Sequence, residues 1–319
     1  MTADQYIGVD VGGTKAAIAT LANGRLSAPQ EEATVLSSSD ALVEQMVRLI
    51  EQARTPRTRA VGVGVPSIVE FATGRIRASV NIPLADVPLR ALLSDRIGLP
   101  VYIENDASCA ALAEAYEGDQ LVATQLVMLT VGTGVGGGLV LNGRLYRGAT
   151  GAAPELGHTV IGLDLHDGAP DLTGWPRVGT LEVLASGSAL DRLASDAARA
   201  NPDSPLGRLL ESEGEVSGRD AVAAASAGDP IAVRVVAILG ERLGIGIANA
   251  INTFDPFEVV IGGGVSAAGE LLLGPARDVA ARYTLPGVGT KTKIRRARYG
   301  PEAGVLGAAL IAAHEDDHR

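Results

Sequence analysis

The chain has 319 residues, 46% of them hydrophobic and 20% charged, and carries a formal net charge of −10. This apolar content excludes general disorder, and the acidic balance with no long Lys/Arg run excludes an electrostatic footprint for nucleic acid. The single cysteine, Cys109, excludes an intrachain disulfide and a cysteine-based zinc site. A lone cysteine fits a reducing compartment, so a cytoplasmic location is expected. The start MTADQYIGVD lacks the basic and apolar regions of a signal peptide, and no run of about 18 apolar residues reads as a membrane span. The length suits one large domain or two of ordinary size.

The pattern opens with a strand over residues 6–11, a glycine turn, and a second apolar run over 16–21 closed by Asn23-Gly24. Residues 25–33 supply a third strand. Ser39 and Asp40 precede a helical pattern over 41–53, with Leu42, Met46, Leu49 and Ile50 on its apolar face. A buried strand follows over 60–65, ended by Pro66. A short helix is predicted over 89–97, a strand over 101–104 and an Ala-rich helix over 107–116. The pattern then begins again: a strand over 125–131, a glycine turn, and a strand over 138–142 that ends in Asn142-Gly143. This recurrence implies two related halves. The division falls near 118–122, giving a smaller domain over 1–120 and a larger one over 121–302. Helices are predicted over 181–200 and 230–252, and a strand over 258–261 runs into Gly262-Gly263-Gly264. Segment 291–298 (KTKIRRAR) alternates basic and apolar residues and reads as an exposed strand. A last helix, over 303–319, is expected to pack back on the first domain.

Three glycine turns, each at the end of a buried strand, are the main chemical signal. In Asp10-Val11-Gly12-Gly13-Thr14-Lys15, adjacent glycines let backbone N–H groups approach a phosphate, and Thr14 adds a hydroxyl. Asp10 stands where a carboxylate can orient hydrated Mg²⁺; a hairpin turn needing positive φ explains the same glycines. The second turn, 132–138, contains GxGxxG, but a strand rather than a helix follows, so the dinucleotide fingerprint is not met, although Glu155 lies at the distance of a ribose-binding acid. A hairpin that contacts phosphate through Gly132, Thr133 and Gly134 fits better. The third turn, 262–264, is either a flexible βα turn or a backbone surface for a nucleoside. Nothing matches GxxxxGK[ST].

Glu104-Asn105-Asp106 lies between a strand and a helix. Asp106 serves either as helix N-cap or as a general base for an attacking hydroxyl, with Asn105 holding neighbouring hydroxyls. Glu155 and His158, three residues apart, offer acceptors and donors for vicinal hydroxyls, or form a surface turn. Glu182 is a third carboxylate or a first-turn helix residue. Asp164, His166, Asp167 and Asp171 form a loose cluster without a tight metal-ligand spacing.

Together these residues resemble the ROK family (repressors, open reading frames, sugar kinases) of the actin/hexokinase-like ATPase superfamily. The matching segments are IGVDVGGTK (7–15), GVGVP (62–66), Asn81, END (104–106), LTVGTGVGGG (129–138), GAAPELGH (151–158), LEVLASG (181–187), IGGG (261–264) and AGVLGAA (303–309). They occur in order along nearly the whole chain. The resemblance implies an α/β fold of two RNase-H-like domains flanking a central cleft, and an ATP- and Mg²⁺-dependent kinase of a sugar hydroxyl. It implies Asp106 as catalytic base and Asn81, Asn105, Glu155, His158 and Glu182 as sugar ligands. It implies Asp10, Gly12, Gly13, Thr14, Lys15, Gly132, Thr133 and Gly134 for Mg²⁺ and phosphates, with Gly262, Gly263 and Gly264 for the nucleoside. It also implies a homodimer, with no nucleic acid or membrane partner.

Three departures stand out. The family's zinc site joins the His of GH to a cysteine cluster, and residues 162–179 contain no cysteine, so no structural zinc is expected. Pro154 replaces the usual Gly, and Pro83-Leu84 stand in place of the Gly-Trp common after the Asn. Glucose, through its 6-hydroxyl, is the first expected acceptor. The alternatives are an amino sugar, a modified hexose or a cyclitol, or a non-catalytic sugar sensor. Repressors of the family carry an N-terminal helix-turn-helix domain; here the phosphate motif starts at residue 7, so none is expected.

Overall fold

The structure, a computed structural model, describes residues 4–79, 81–166, 168–170 and 174–317. Asp167 and Asp171 of the loose acidic cluster, and the end of the predicted 303–319 helix, lie outside the described residues. The chain forms two compact α/β units. One comprises the chain up to Leu126, Gly138–Pro154 and the chain from Arg298; the other comprises Val127–Gly137 and Glu155–Ala297.

In the first unit, strands β1 (Gln5–Val11) and β2 (Lys15–Ala22) form the predicted antiparallel hairpin. The predicted third strand divides into β3 (Arg25–Leu26) and β4 (Gln30–Ala33), both paired with β2. Helix α1 (Ser39–Ala53), N-capped by the Ser38 hydroxyl, leads to β5 (Thr58–Val65). A hairpin of β6 (Ser67–Glu70) and β7 (Arg75–Ser79), not read from sequence, precedes α2 (Leu89–Ile97) and β8 (Val101–Asn105). Its alternation is interrupted by a register shift at Ile68/Val69, which hides the two-residue period. The sheet order is β3-β2-β1-β5-β8, with β1, β5 and β8 mutually parallel. One face of β1, through Ile7, Val9 and Val11, packs with Leu42, Met46, Ile50, Leu89 and Leu93 of α1 and α2 into a single core.

Helix α3 (Asp106–Glu114) follows β8 directly. Asn105, not Asp106, is its N-cap: the Asn105 carboxamide oxygen accepts the N–H groups of Ala107 and Ser108 at 2.9 and 3.2 Å, and Asp106 is the first helical residue. Both residue types cap well, so the sequence left the helix start ambiguous by one position. Two short strands, β9 (Tyr116–Glu117) and β10 (Gln120–Leu121), close this segment.

The second sheet has the order β13-β12-β11-β14-β15. It consists of β11 (Gln125–Val131), β12 (Val135–Leu141), β13 (Arg144–Leu145), β14 (Glu258–Gly262) and β15 (Lys293–Arg296). Its order repeats that of the first sheet, so the recurrent strand pattern is a true structural repeat. The predicted helix over 181–200 is two helices, α4 (Leu181–Ala185) and α5 (Gly187–Ala200). Ser186 breaks them apart: its backbone is extended and its hydroxyl caps α5 at Ala189. Helices α6 (Pro205–Glu213) and α7 (Gly218–Ser226) join α5, and the long α8 (Pro230–Phe254) packs on α9 (Glu270–Tyr283).

The last helix, α10 (Ala303–Asp316), belongs to the first unit, where it packs on β1, β5 and α3. Gly8 and Gly62 make this possible: a Cβ at either would run into the α10 backbone at Val305 and Ala308. Among the described residues no helix is long and apolar enough to cross a membrane.

Candidate active site

In the first unit, parallel pairing aligns the ends of three strands. Asp10 of β1 faces Gly64 of β5, and Gly64 faces Glu104 of β8. Carboxyl ends of parallel strands are where open α/β sheets gather ligands. Gly64 lies below both candidate carboxylates: a Cβ there would come 3.5 Å from the Asp10 carboxylate, 3.8 Å from Asp106 Cα and 3.1 Å from Cys109 Sγ. Gly304 of α10 bounds the same carboxylate more tightly: a Cβ there would come 2.3 Å from Asp10 Oδ2. Burial, with Asp106 adding like charge and Lys15 pulling the other way, pushes the Asp10 carboxyl up to about 7. Burial also raises Asp106, whose carboxylate accepts the Ala107 N–H at 2.8 Å. Two crowded, dehydrated carboxylates form a donor set suited to a hard hydrated cation, and a raised carboxyl is suited to taking a proton.

The loop after β1 is held by its own backbone. Gly12 N–H donates to Lys15 O at 2.9 Å, and Thr34 Oγ1 donates to Gly12 O at 2.7 Å. Asn81 stands against this loop, since a Cβ on Gly13 would lie 3.2 Å from Asn81 Cβ. Thr14 and Lys15 are exposed, and Lys15 Nζ bonds Glu31 at 2.6 Å. Asn105 Nδ2 donates to Ser67 O at 3.4 Å, which draws the β6 hairpin into the same group. The Ser67 hydroxyl is buried with no hydrogen-bond partner among the described residues.

In the second unit, the loop after β11 folds on helices α4 and α5. Glu182 Oε2 accepts the Val135 N–H at 2.9 Å, and a Cβ on Gly134 would come 2.3 Å from that oxygen, so that the Glu182 side chain would have to move. Gly132 O accepts the Gly187 N–H at 2.6 Å, and Ser188 Oγ donates to Thr133 O at 2.8 Å. Beside this loop lies a cavity of about 610 Å³ bounded by Gly132, Thr133, Ser188, Asp191, Arg219 and Gly264. Its size is in the range of small-molecule pockets. Gly264 lines it, whereas Gly262 packs near Met128 and Gly263, at φ 79°, lies against the Val131 backbone. A Cβ on Gly132 would meet nothing within 4 Å, so this backbone faces open space into which a phosphate could come.

Glu155 and His158 flank a short 3₁₀ turn, with His158 Nε2 3.8 Å from the Glu155 carboxylate. The Trp175 ring meets the His158 imidazole edge-on at 5.6 Å, and Arg177 lies over Trp175 at 4.8 Å. The segment is closed at its base by the Val160–Thr180 bridge and by Ile161 N–H donating to Gly179 O at 2.8 Å. Among the described residues no three His, Cys, Asp or Glu side chains are grouped to hold a metal.

The structure thus groups Asp10, Gly12, Gly13, Asn81, Asn105 and Asp106 in one unit. In the other, Gly132, Thr133 and Gly264 line the cavity, Gly134 and Glu182 pack together beside it on the same loop, and Glu155 and His158 form a separate pair. Sequence reasoning missed Ser67, Ser188, Asp191 and Arg219. Ser188 and Asp191 follow the Ser186 cap signal, and Arg219 lies in the capping box of Ser217 and Asp220, but only tertiary packing brings them to the loop.

The ROK family model matches residues 6–315. The glucokinase of Halalkalibacterium halodurans is 36% identical over 98% of this chain and 96% of its own length. A ROK hexokinase from Thermus thermophilus superposes with a TM-score of 0.82 at 37% identity, covering 99% of this chain and all of that one. A ROK family glucokinase from Streptomyces griseus, solved with glucose and AMPPNP, gives 0.79 at 33% identity over 97% and 99% of the two chains. The fold is that of the two-domain actin/hexokinase-like ATPases. The chain belongs to the ROK family.

Proposed function

We propose that this protein is an ATP-dependent hexose kinase that phosphorylates the 6-hydroxyl of glucose. The observation that carries this reading is the buried pair Asp10, near the end of β1, and Asp106, at the start of α3, set around Gly64. A sensor that only binds sugar has no need of two dehydrated carboxylates, which cost folding energy. The similarity to kinases named for glucose supports glucose as acceptor.

Each residue has a task in this scheme. Asp106, its affinity for protons raised by burial, takes the proton of the attacking hydroxyl. Asn81 and Asn105 hold neighbouring hydroxyls, and Glu155, His158 and Glu182 supply the remaining polar contacts to the sugar. The amides of Gly13, Thr133 and Gly134 hold the donor phosphates, the Gly12 and Gly132 N–H groups being engaged by Lys15 O and Gly134 O, and the 610 Å³ cavity takes the nucleoside, with Gly264 as part of its wall. Asp10 would hold Mg²⁺, which when bound would supply positive charge to offset that of the transferring phosphoryl group.

ADP release measured with a panel of hexoses, amino sugars and cyclitols tests the reading. Glucose is expected to give the highest kcat/KM; an amino sugar or cyclitol in first place would move the acceptor, and no turnover with any member would overturn the kinase.

A further inference from the structure

We propose that Arg147 is a positioning residue for the acceptor-side pair Asn105 and Asp106, acting through the buried side chain of Glu104; this rests on the sugar-kinase reading. Glu104 is 2% exposed and lies at the end of β8, immediately before the pair. Its two oxygens have different partners. Oε1 accepts the backbone N–H of Asn105 at 2.9 Å, and Oε2 accepts Arg147 Nε at 2.6 Å. Glu104 therefore fixes the backbone where α3 begins, and Arg147 fixes Glu104.

The guanidinium is itself held on two further sides. Its Nη2 reaches Glu315 of α10 at 3.1 Å, and its plane lies 3.5 Å from the ring centre of Phe71, in the turn of the β6–β7 hairpin. One planar fork thus ties strand β8, helix α10 and that hairpin, whose Ser67 carbonyl holds the Asn105 carboxamide. Arg147 touches neither Asn105 nor Asp106 in these hydrogen bonds, so its effect on chemistry passes through Glu104. Removing it leaves a buried carboxylate without its countercharge, which must take a proton or turn away. Turning away releases the Asn105 N–H and protonation weakens its bond, and either loosens the first turn of α3, which carries the base.

The site also offers a chemical test. Arg147 borders a cavity of about 410 Å³, with Arg144, Tyr116, His314 and Glu315 among its other walls. A guanidinium ion from solution can reach the position that a truncated side chain leaves there. The experiment compares wild type, Arg147→Ala and Arg147→Lys by steady-state kinetics, with and without millimolar guanidinium chloride, alongside thermal melts. For Arg147→Ala, kcat/KM for the sugar is expected to fall about 100-fold, the size of effect that a misplacement near 1 Å produces. KM for ATP is expected to stay within about twofold, because the lost interaction does not involve the nucleotide. Guanidinium should restore about tenfold of the loss in this variant and none in wild type. Arg147→Lys, which keeps the charge but not the fork, should fall about tenfold.

Unchanged sugar kcat/KM in Arg147→Ala would overturn the proposal. So would equal losses toward sugar and ATP that follow the melting temperature and do not respond to guanidinium. Should Arg147→Ala fail to fold, the same split between sugar and ATP is read in Arg147→Lys, and its absence there is equally fatal. The two levels of inference fail differently: wild type inactive on every sugar sinks the kinase reading, whereas active wild type with an indifferent Arg147 sinks this proposal alone.

Discussion

The two glycine loops occupy equivalent places in two sheets of the same strand order, and each is followed by a strand that ends in Asn-Gly with both residues at positive φ. Their chemistry differs. The loop after β1 carries its carboxylate in the strand itself, where Asp10 is crowded by Asp106 and Gly304 and pushed up to about 7. The loop after β11 has Thr130 at the matching penultimate position, and its carboxylate comes from Glu182 on α4, bonded to a loop amide. A repeated unit has been used once to place charge and once to place a glycine-rich backbone beside a cavity. The first is sensitive to a change of charge, the second to a change of shape.

The largest expected effect is on the charged side. Asp106→Asn should lower kcat by about 10³-fold while sugar affinity, measured calorimetrically, stays within a few-fold. Activity near wild type would show that the base lies elsewhere. Because burial raises the Asp106 carboxyl, kcat/KM for sugar should rise with pH along a limb displaced above the ordinary carboxylate range.

Asp10→Asn should lower turnover about 100-fold and, unlike most active-site changes, stabilise the unliganded protein. The sign follows from linkage. The unfolded chain ionises Asp10 near 3.8, whereas the folded chain keeps the proton to about 7. Between those values the unfolded state binds fewer protons, so stability falls as pH rises and levels off above about 7. Asn removes this loss, and melts at pH 8 should show a gain on the order of 1–2 kcal/mol, vanishing near pH 4. A variant less stable at pH 8 would contradict the strained carboxylate.

On the other loop, Gly134→Ala forces its methyl group against Glu182 and should raise KM for ATP about tenfold, with a lower melting temperature. Gly132→Ala is the sharper test. Its methyl group meets nothing within 4 Å, so stability should be unchanged, and a rise in KM for ATP of a few-fold would report the ligand alone. The smallest effect belongs to Gly12→Ala, where the nearest neighbour, Lys15 O, lies 3.3 Å from the added methyl and a shift of a few tenths of an ångström relieves it. Less than a twofold change in kcat/KM is expected there.

Much of this was legible in the chain because turns and buried strands leave local marks. Asn23-Gly24 and Asn142-Gly143 marked equivalent hairpin turns, and the apolar runs of β1, β5, β11 and β14 were read within a few residues. Single-residue decisions were harder. Asn105 and Asp106 are both good caps, and only the bonds to Ala107 and Ser108 choose between them. Ser186-Gly187 carried a cap signal inside an otherwise continuous helical pattern. Helices α6, α7 and α9 were passed over although Ser204-Pro205 and the Ser217–Asp220 capping box mark two of their starts; α9 holds Pro275 within it, which argues against a helix. Long-range placements left no local mark. Nothing in the run from Arg147 to His158 tells that Arg147 reaches back 43 residues to Glu104 or forward to α10.

The most direct test is to identify the product formed from glucose and ATP by phosphorus and carbon NMR. The expected result is glucose phosphorylated at the 6-hydroxyl with one equivalent of ADP; ATP broken down to free phosphate with the sugar untouched, or no consumption of ATP, would contradict a hexose kinase.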